Sequence, residues 1–275
     1  MPESPIMTKC SLLISTYNWP KALDFCLQSA LQQTHLPGEI LIADDGSTEE
    51  TASLIKEYRQ VSPIPIIHVW HEDKGFRLAE IRNKAIAKAQ YDYIIQIDGD
   101  VIMSPYFISD HLAAAQKGYI AAGTRAMLRE DVSAAILVKD KIPAIKFLKK
   151  NCAHKLNSVR NKWVFQLLRY RYKTRGKHKF YIRGCNMAYW REDALKINGY
   201  NEAITGWGSE DHEFVVRMLK LGIRKQFLKM TAIVFHIYHK PFSKSNRHKN
   251  ELIKKASSEN NHYYIKDGMD KYVQS

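Results

Sequence analysis

From Cys10 to Ala122 the chain alternates short β-branched runs with helical patterns. CSLLIS (Cys10–Ser15), EILIA (Glu39–Ala43), Ile64–Trp70, YIIQI (Tyr93–Ile97) and Tyr119–Ala122 read as strands. Between them, Lys21–Gln33, Thr51–Arg59 and Arg77–Ala89 repeat apolar residues at helical spacing, as in Leu23, Leu27 and Leu31. Pro105 stands where proline opens a helix. Parallel strands need a crossover between them, and a helix supplies it. The expected fold is therefore α/β, with a mostly parallel central sheet flanked by helices. Farther on, Ile182–Trp190 and Ala232–Tyr238 read as strands and Glu210–Leu221 as a helix.

A chain of 275 residues is long enough to bury a full core, and its 45% hydrophobic, 25% charged composition is that of a folded globular protein. Cys10, Cys26, Cys152 and Cys185 have no CxxC spacing, which argues against a zinc ribbon or a disulfide scaffold and suits a reducing compartment. The opening MPESPIMTKC has no apolar run behind a basic stretch, so no secretory leader is expected. No run reaches the ~18 apolar residues of a spanning helix.

The net charge is +14, and one segment carries it. Between Lys139 and Arg183 stand fifteen Lys or Arg and one acid, Asp140. Trp163, Phe165, Leu167 and Leu168 lie among these cations and suggest a basic amphipathic helix, suited to an anionic membrane surface or an acidic partner. A solvated helix packed on its own domain explains the pattern equally well. Nucleic acid is not expected, because no binding motif accompanies the charge.

Ligands of open α/β sheets bind beyond the carboxyl ends of the strands. The first strand ends in Ser15-Thr16-Tyr17-Asn18 without GxGxxG, which argues against a dinucleotide dehydrogenase, and no P-loop occurs. The second ends in Asp44-Asp45-Gly46-Ser47, carboxylates able to accept from a base or a ribose, though the string is also ordinary turn chemistry. The fourth ends in Asp98-Gly99-Asp100, whose carboxylates can reach one hard cation. Gly206-Trp207-Gly208-Ser209-Glu210-Asp211 opens a helix with acids, which suits its dipole. The dipole does not explain the tryptophan, whose flat face can stack on a sugar beside a carboxylate able to act as general base. His236 and His239, at the end of an apolar run, are candidate metal ligands.

With these strings the chain resembles the family 2 glycosyltransferases of GT-A fold over residues 9–128 and 181–240. Arg183-Gly184-Cys185-Asn186 and the Trp207 block are similar to the galactosyl- and N-acetylgalactosaminyltransferases, including bacterial chondroitin polymerases. The resemblance implies a GT-A domain over 1–240, comprising a nucleotide-binding part (9–128), a basic helical insertion (130–180) and an acceptor-binding and catalytic part (181–240). A basic tail follows at 241–275. It implies that Thr16, Tyr17, Asn18, Asp44, Asp45, Arg77, Arg82 and Asp98 bind the nucleotide-sugar. Asp98, Asp100 and His236, with His239 as substitute, would hold Mn²⁺ or Mg²⁺. Trp207 and Glu210 would contact sugar, Asp211 would be the general base, and Glu210 would share the catalytic site with it. Ser209 replaces a glycine common at that spot in the family.

The expected function is inverting, metal-dependent transfer of a hexose or N-acetylhexosamine from a UDP-sugar to a glycan or lipid-linked acceptor, in surface polysaccharide or lipopolysaccharide assembly. The expected location is cytoplasmic and peripheral at the inner face of the membrane, held through residues 139–183. Alternatives are an inactive GT-A-like module binding acidic polymer or membrane, a nucleotidyltransferase, or a polyprenyl-phosphate glycosyltransferase. The two enzyme alternatives share the early acidic motifs but do not call for the Trp207 block.

Overall fold

The computed structural model describes residues 9–240 and 245–273. The opening residues 1–8, where no leader is expected, and residues 241–244 and 274–275 of the C-terminal tail lie outside the described residues. The strands are β1 (Ser11–Thr16), β2 (Glu39–Asp44), β3 (Ile66–Trp70), β4 (Tyr93–Asp98), β5 (Val101–Met103), β6 (Tyr119–Ala122), β7 (Thr124–Met127), β8 (Asn186–Trp190), β9 (Arg224–Phe227) and β10 (Ile233–His236). The α-helices are α1 (Pro20–Leu31), α2 (Glu49–Val61), α3 (Leu78–Lys88), α4 (Phe107–Ala114), α5 (Glu130–Leu137), α6 (Ile145–Lys150), α7 (Lys162–Leu168), α8 (Arg191–Lys196), α9 (Glu210–Lys220), α10 (Arg247–Glu259) and α11 (Asp270–Val273).

Seven strands form one sheet in the order β3-β2-β1-β4-β8-β6-β9, in which only β8 runs against its neighbours. The chain winds outward from β1 through β2 to β3, then returns so that β4 lies on the other side of β1. The winding reverses between β1 and β4, and a crevice opens there at the carboxyl ends of the strands. Side chains alternate across the sheet. Leu12, Ile14, Ile40, Ile42, Ile95 and Ile97 pack against α1 and α4, through Leu23, Leu27 and Phe107. Leu13, Leu41 and Ile94 pack against α3 and α9, through Ile81, Ile86, Phe214 and Met218. Both faces are covered, which is why these strands read as near-continuous apolar runs.

A second, three-stranded sheet has the order β5-β10-β7. β10 is antiparallel to β5, with His236 opposite Val101, and parallel to β7. Asn186 ties it to the large sheet, its Nδ2 donating to the carbonyls of Thr124 and Ala232 at 3.0 and 2.8 Å. The sequence pattern does not reveal β5, β7 or β9, because β5 has three residues and TRAM and RKQF lack the apolar run that marks YIAA. The strand expected from Ile182 begins only at Asn186, and residues 182–185 form a loop.

In the basic segment Ile136, Leu148 and Cys152 join Phe25 and Phe235 in a small core. The apolar residues of α7 are divided. Phe165 is buried in the main core, whereas Trp163 and Leu167, one turn apart, are 89% and 64% exposed. The polar sequence from residue 245 folds back, as α10 packs along α9 and Ser257 Oγ donates to Glu213 Oε1 at 2.8 Å. Glu213 also holds buried Arg217 at 2.7 and 2.8 Å, and that guanidinium donates to the carbonyls of Ile197 and Gly199. With every polar group partnered, this buried pair fixes α9 against the 197–199 turn.

Candidate active site

A cleft of about 540 Å³ lies at the crevice. Of the residues singled out in the sequence, Thr16, Tyr17, Asp45, Arg82, Asp98, Asp100, Trp207, Glu210, Asp211, His236 and His239 line it.

Arg82, on the second turn of α3, is at its centre with 1% of its side chain exposed. Its Nε donates to Ser15 Oγ at 3.0 Å, Nη2 to Asp98 Oδ1 at 3.0 Å and Nη1 to Asp211 Oδ1 at 2.9 Å. Glu210 Oε1 stands 3.7 Å from Nη1. Burial pulls the guanidinium pKa down, but Asp211, Asp98 and Glu210 hold it above the ordinary arginine value. Burial and the neighbouring Asp211 push Glu210 up to about 7, against the pull of Arg82. Its Oε2 is buried without a hydrogen-bond partner. Burial, with Asp100 and Asp211 close by, also pushes Asp98 up to about 7. Asp211 Oδ2 accepts from the Gly184 N–H at 2.8 Å. A Cβ at Gly184 would fall 2.1 Å from that oxygen, so only glycine lets the loop reach the carboxylate.

On the β2 side the expected residues divide. Asp45 lines the cleft, accepting from the Arg77 N–H at 2.9 Å and lying 2.7 Å from His71 Nε2. Tyr17, 42% exposed, donates to Asp73 Oδ2 at 2.8 Å. Asp44, Asn18 and Arg77, expected at the nucleotide, are outside the lining. Asp44 is fully buried, with one oxygen on the Ser47 N–H and the other 2.8 Å from His68 Nε2, so it builds the turn. Asn18, at φ 43°, joins the same turn through Ser47 and Thr48. The Arg77 guanidinium turns to Glu80 Oε2 at 2.8 Å and to the Glu72 carbonyl, leaving only its backbone N–H at the site.

The metal-type cluster also differs from the expected set. Asp98 is paired with Arg82, while Asp100, His236 and His239 bring one ligand atom each within 4.8 Å of one another. The small sheet creates this meeting, since His236 pairs with Val101 and the Ile237 N–H donates to the Asp100 carbonyl at 2.9 Å. Asp100 Oδ2 lies 3.5 Å from His236 Nε2 and 3.1 Å from His239 Nε2, and its Oδ1 is buried without a partner. Each imidazole directs Nδ1 at a carbonyl, of Ile237 and Lys240, which leaves Nε2 to offer a lone pair. Two nitrogens and a carboxylate with an unused oxygen fit a divalent transition-metal cation such as Mn²⁺ better than Mg²⁺, which takes oxygen ligands. His236 and His239 both belong to the cluster, so neither replaces the other.

Trp207, 40% exposed, stands on a loop whose backbone is left-handed at Gly206, Gly208 and Ser209. Ser209 adopts φ 80° where glycine would be unstrained. Helix α10 supports this loop. Asn250 Nδ2 donates to the carbonyls of Thr205 and Gly208 at 2.9 and 3.1 Å. That support, and the lining positions Trp19 and Arg125, escape sequence reasoning because nothing in a polar helix states what it packs on. The Arg183–Cys185 wall is readable only through the quoted Arg183-Gly184-Cys185-Asn186 string.

Residues 11–197 match the family model for glycosyl transferase family 2, and residues 164–240 match that for the N-terminal domain of galactosyltransferase. The chain belongs to glycosyl transferase family 2. It is 25% identical over 250 residues to a hyaluronan synthase of Pasteurella multocida, covering 86% of this chain and 25% of the synthase. It is 26% identical over 233 residues to a chondroitin synthase of Escherichia coli, covering 79% of this chain and 33% of the synthase. The chain thus spans a quarter to a third of the length of these relatives. Residues 1–349 of Staphylococcus aureus TarS, solved with UDP-GlcNAc, superpose with TM-score 0.61 at 15% identity, covering 90% of this chain and 66% of that one. A Pyrobaculum calidifontis mannosyltransferase, solved with GDP-Man and Mn²⁺, superposes with TM-score 0.60 at 14% identity, covering 91% and 64%. These structural likenesses establish the GT-A fold.

Replacing Asn250 by Ala removes both bonds to the loop. The expected result is a loss of about 1–3 kcal/mol in urea unfolding, with faster hydrogen exchange at residues 206–209 and unchanged exchange in β1–β4.

Proposed function

We propose that the chain transfers a hexose or N-acetylhexosamine from a UDP-sugar to a glycan or lipid-linked acceptor, with inversion, in assembly of a surface polysaccharide or lipopolysaccharide. The observation that carries this reading is the convergence of Arg82, Asp211 and Glu210 beside the Asp100–His236–His239 cluster in one cleft. Thr16, Tyr17 and Asp45 are assigned to the nucleotide, and Trp207 to stacking on a sugar ring. Asp100, His236 and His239 would hold Mn²⁺ or Mg²⁺, which supplies positive charge beside the leaving diphosphate.

The acceptor hydroxyl gives its proton to a carboxylate as its oxygen bonds to the anomeric carbon. The bond from that carbon to the UDP oxygen breaks, and its electron pair leaves with UDP. Attack opposite the leaving group inverts the anomeric centre and gives a β-linkage from an α-linked donor. Asp211 is the proposed base, held in place by Arg82 and the Gly184 N–H. Glu210 is a second reading favoured by one observation: a carboxyl pushed up to about 7, with an unpartnered oxygen, accepts a proton well near neutral pH.

Residues 139–183 are proposed to rest on an anionic bilayer at the inner face of the membrane. The supporting observation is Trp163 and Leu167 exposed on one face of α7 in a segment with fifteen cations. Among the described residues no helix is long and apolar enough to cross a membrane.

Asp211→Asn is expected to lower kcat by ~10²–10⁴ while UDP binding stays within about twofold of the parent. If Glu210→Gln shows that loss and Asp211→Asn does not, the base is Glu210. In a thermal-shift titration, UDP with Mn²⁺ at ~100 times its Kd should stabilise the fold by about 2.7 kcal/mol, and His239→Ala or Asp100→Asn should remove the metal-dependent part. No shift with UDP, with or without metal, would sink the donor assignment. Co-sedimentation with phosphatidylglycerol vesicles should fall at least tenfold in Trp163→Ser/Leu167→Ser; equal binding by that variant removes the bilayer proposal.

A further inference from the structure

A second, smaller cavity of about 70 Å³ opens beside the cleft, lined by Arg125, Lys173, Arg183 and Lys229 with Tyr172 and Tyr181. Arg125 and Arg183 line both cavities. Among the described residues, none of the four cations is within ion-pair distance of a carboxylate. By contrast, Arg82, Arg160 and Arg217, all largely buried, are each paired with a carboxylate. Arg125 Nε is buried with no hydrogen-bond partner. Lys229 Nζ donates to Asn157 Oδ1 at 2.7 Å, and Lys173 Nζ lies 4.4 Å from the centre of the Tyr181 ring.

Holding this charge together is costly. Lys173 takes φ 50°, uncommon for a side chain with a Cβ. The adjoining Lys225 is driven down to about 8 by burial and by the charge of Lys173. Its ammonium is turned to the carbonyls of His178 and Tyr181. Four cations with no carboxylate of their own, around a cavity of about 70 Å³, suit a compact oxyanion better than a sugar ring. Arg183, which lines both cavities, is followed in the cleft wall by Gly184, whose N–H touches Asp211.

We propose that Arg125, Lys173, Arg183 and Lys229 bind a phosphoryl group carried by the acceptor, positioning the hydroxyl that attacks. The inference rests on the transferase reading above and names its acceptor class. A dianionic phosphate matches four cations better than a carboxylate does. The phosphoryl group has two sources, an ester on a sugar or the phosphate anchor of a lipid-linked glycan. Both present tetrahedral phosphoryl oxygens, with two negative charges on a sugar monoester and two shared over a lipid diphosphate.

Isothermal titration of the full chain, with and without saturating UDP, tests this using inorganic phosphate, glucose 6-phosphate, glucuronate and vesicles containing a polyprenyl phosphate. Phosphate should bind with UDP in place and more tightly than glucuronate. Lys173→Gln/Lys229→Gln should weaken it at least tenfold with UDP affinity unchanged. Lys173→Gln alone, which loses no hydrogen bond, should show a smaller loss in the same direction. Preference for glucose 6-phosphate assigns a sugar ester, and preference for the vesicles assigns a lipid anchor. Displacement of UDP by phosphate, undiminished binding by both variants, or tighter binding of glucuronate would each overturn the proposal. Failure of UDP itself to bind would instead count against the donor assignment, and the phosphate arm without nucleotide would still judge the cavity.

Discussion

A guanidinium with 1% of its side chain exposed must find negative charge or leave the interior, and Arg82 finds it on two separate parts of the chain. Asp98 comes from the end of β4 and Asp211 from the first turn of α9. Arg82 itself comes from α3, packed across β1 and β2. One side chain therefore ties the β1–β4 part of the sheet to the segment that carries Trp207 and Glu210. The same three-way contact sets the charge balance of the cleft. Asp211 is held by Arg82 and a backbone N–H, while Glu210 stays short of partners and is pushed up to about 7.

Around that hub, two register choices place the remaining groups. Pairing of β10 with β5 brings His236 and His239 to Asp100, although 136 positions separate His236 from Asp100. Pairing of β8 with β4 brings the Arg183–Cys185 loop to the cleft wall, where Gly184 can touch Asp211. Strand ends and helix turns hold the charged groups, whereas the tryptophan sits on a loop supported from outside by α10.

Much of the frame was legible before the structure. Runs such as LLI and YIIQI display burial on both faces, and the acids at their ends stand where an open α/β sheet binds ligands. Residues read less well where a side chain had a choice of partners. Asp44 and Asp45 are adjacent and identical, yet the pleat turns Asp44 inward to His68 and leaves Asp45 at the cleft. Arg77 and Arg82 share a helical stretch, yet Arg77 meets Glu80 one turn away while Arg82 faces the sheet. Trp163, Phe165 and Leu167 form one apolar string in the sequence, and the helix divides them between solvent and core.

By itself the sequence determined the strand–helix alternation, the parallel sheet that follows from it, and the residue types available at each strand end. These are local properties, readable from period, length and composition. Only the tertiary structure decided that Arg82 joins Asp98 to Asp211, that both histidines meet Asp100, that α10 supports the Trp207 loop, and that four cations gather around an anion-sized cavity. Each of these depends on contacts between residues far apart in the chain. Strand register and burial select such contacts, and neither is written in any local window of sequence.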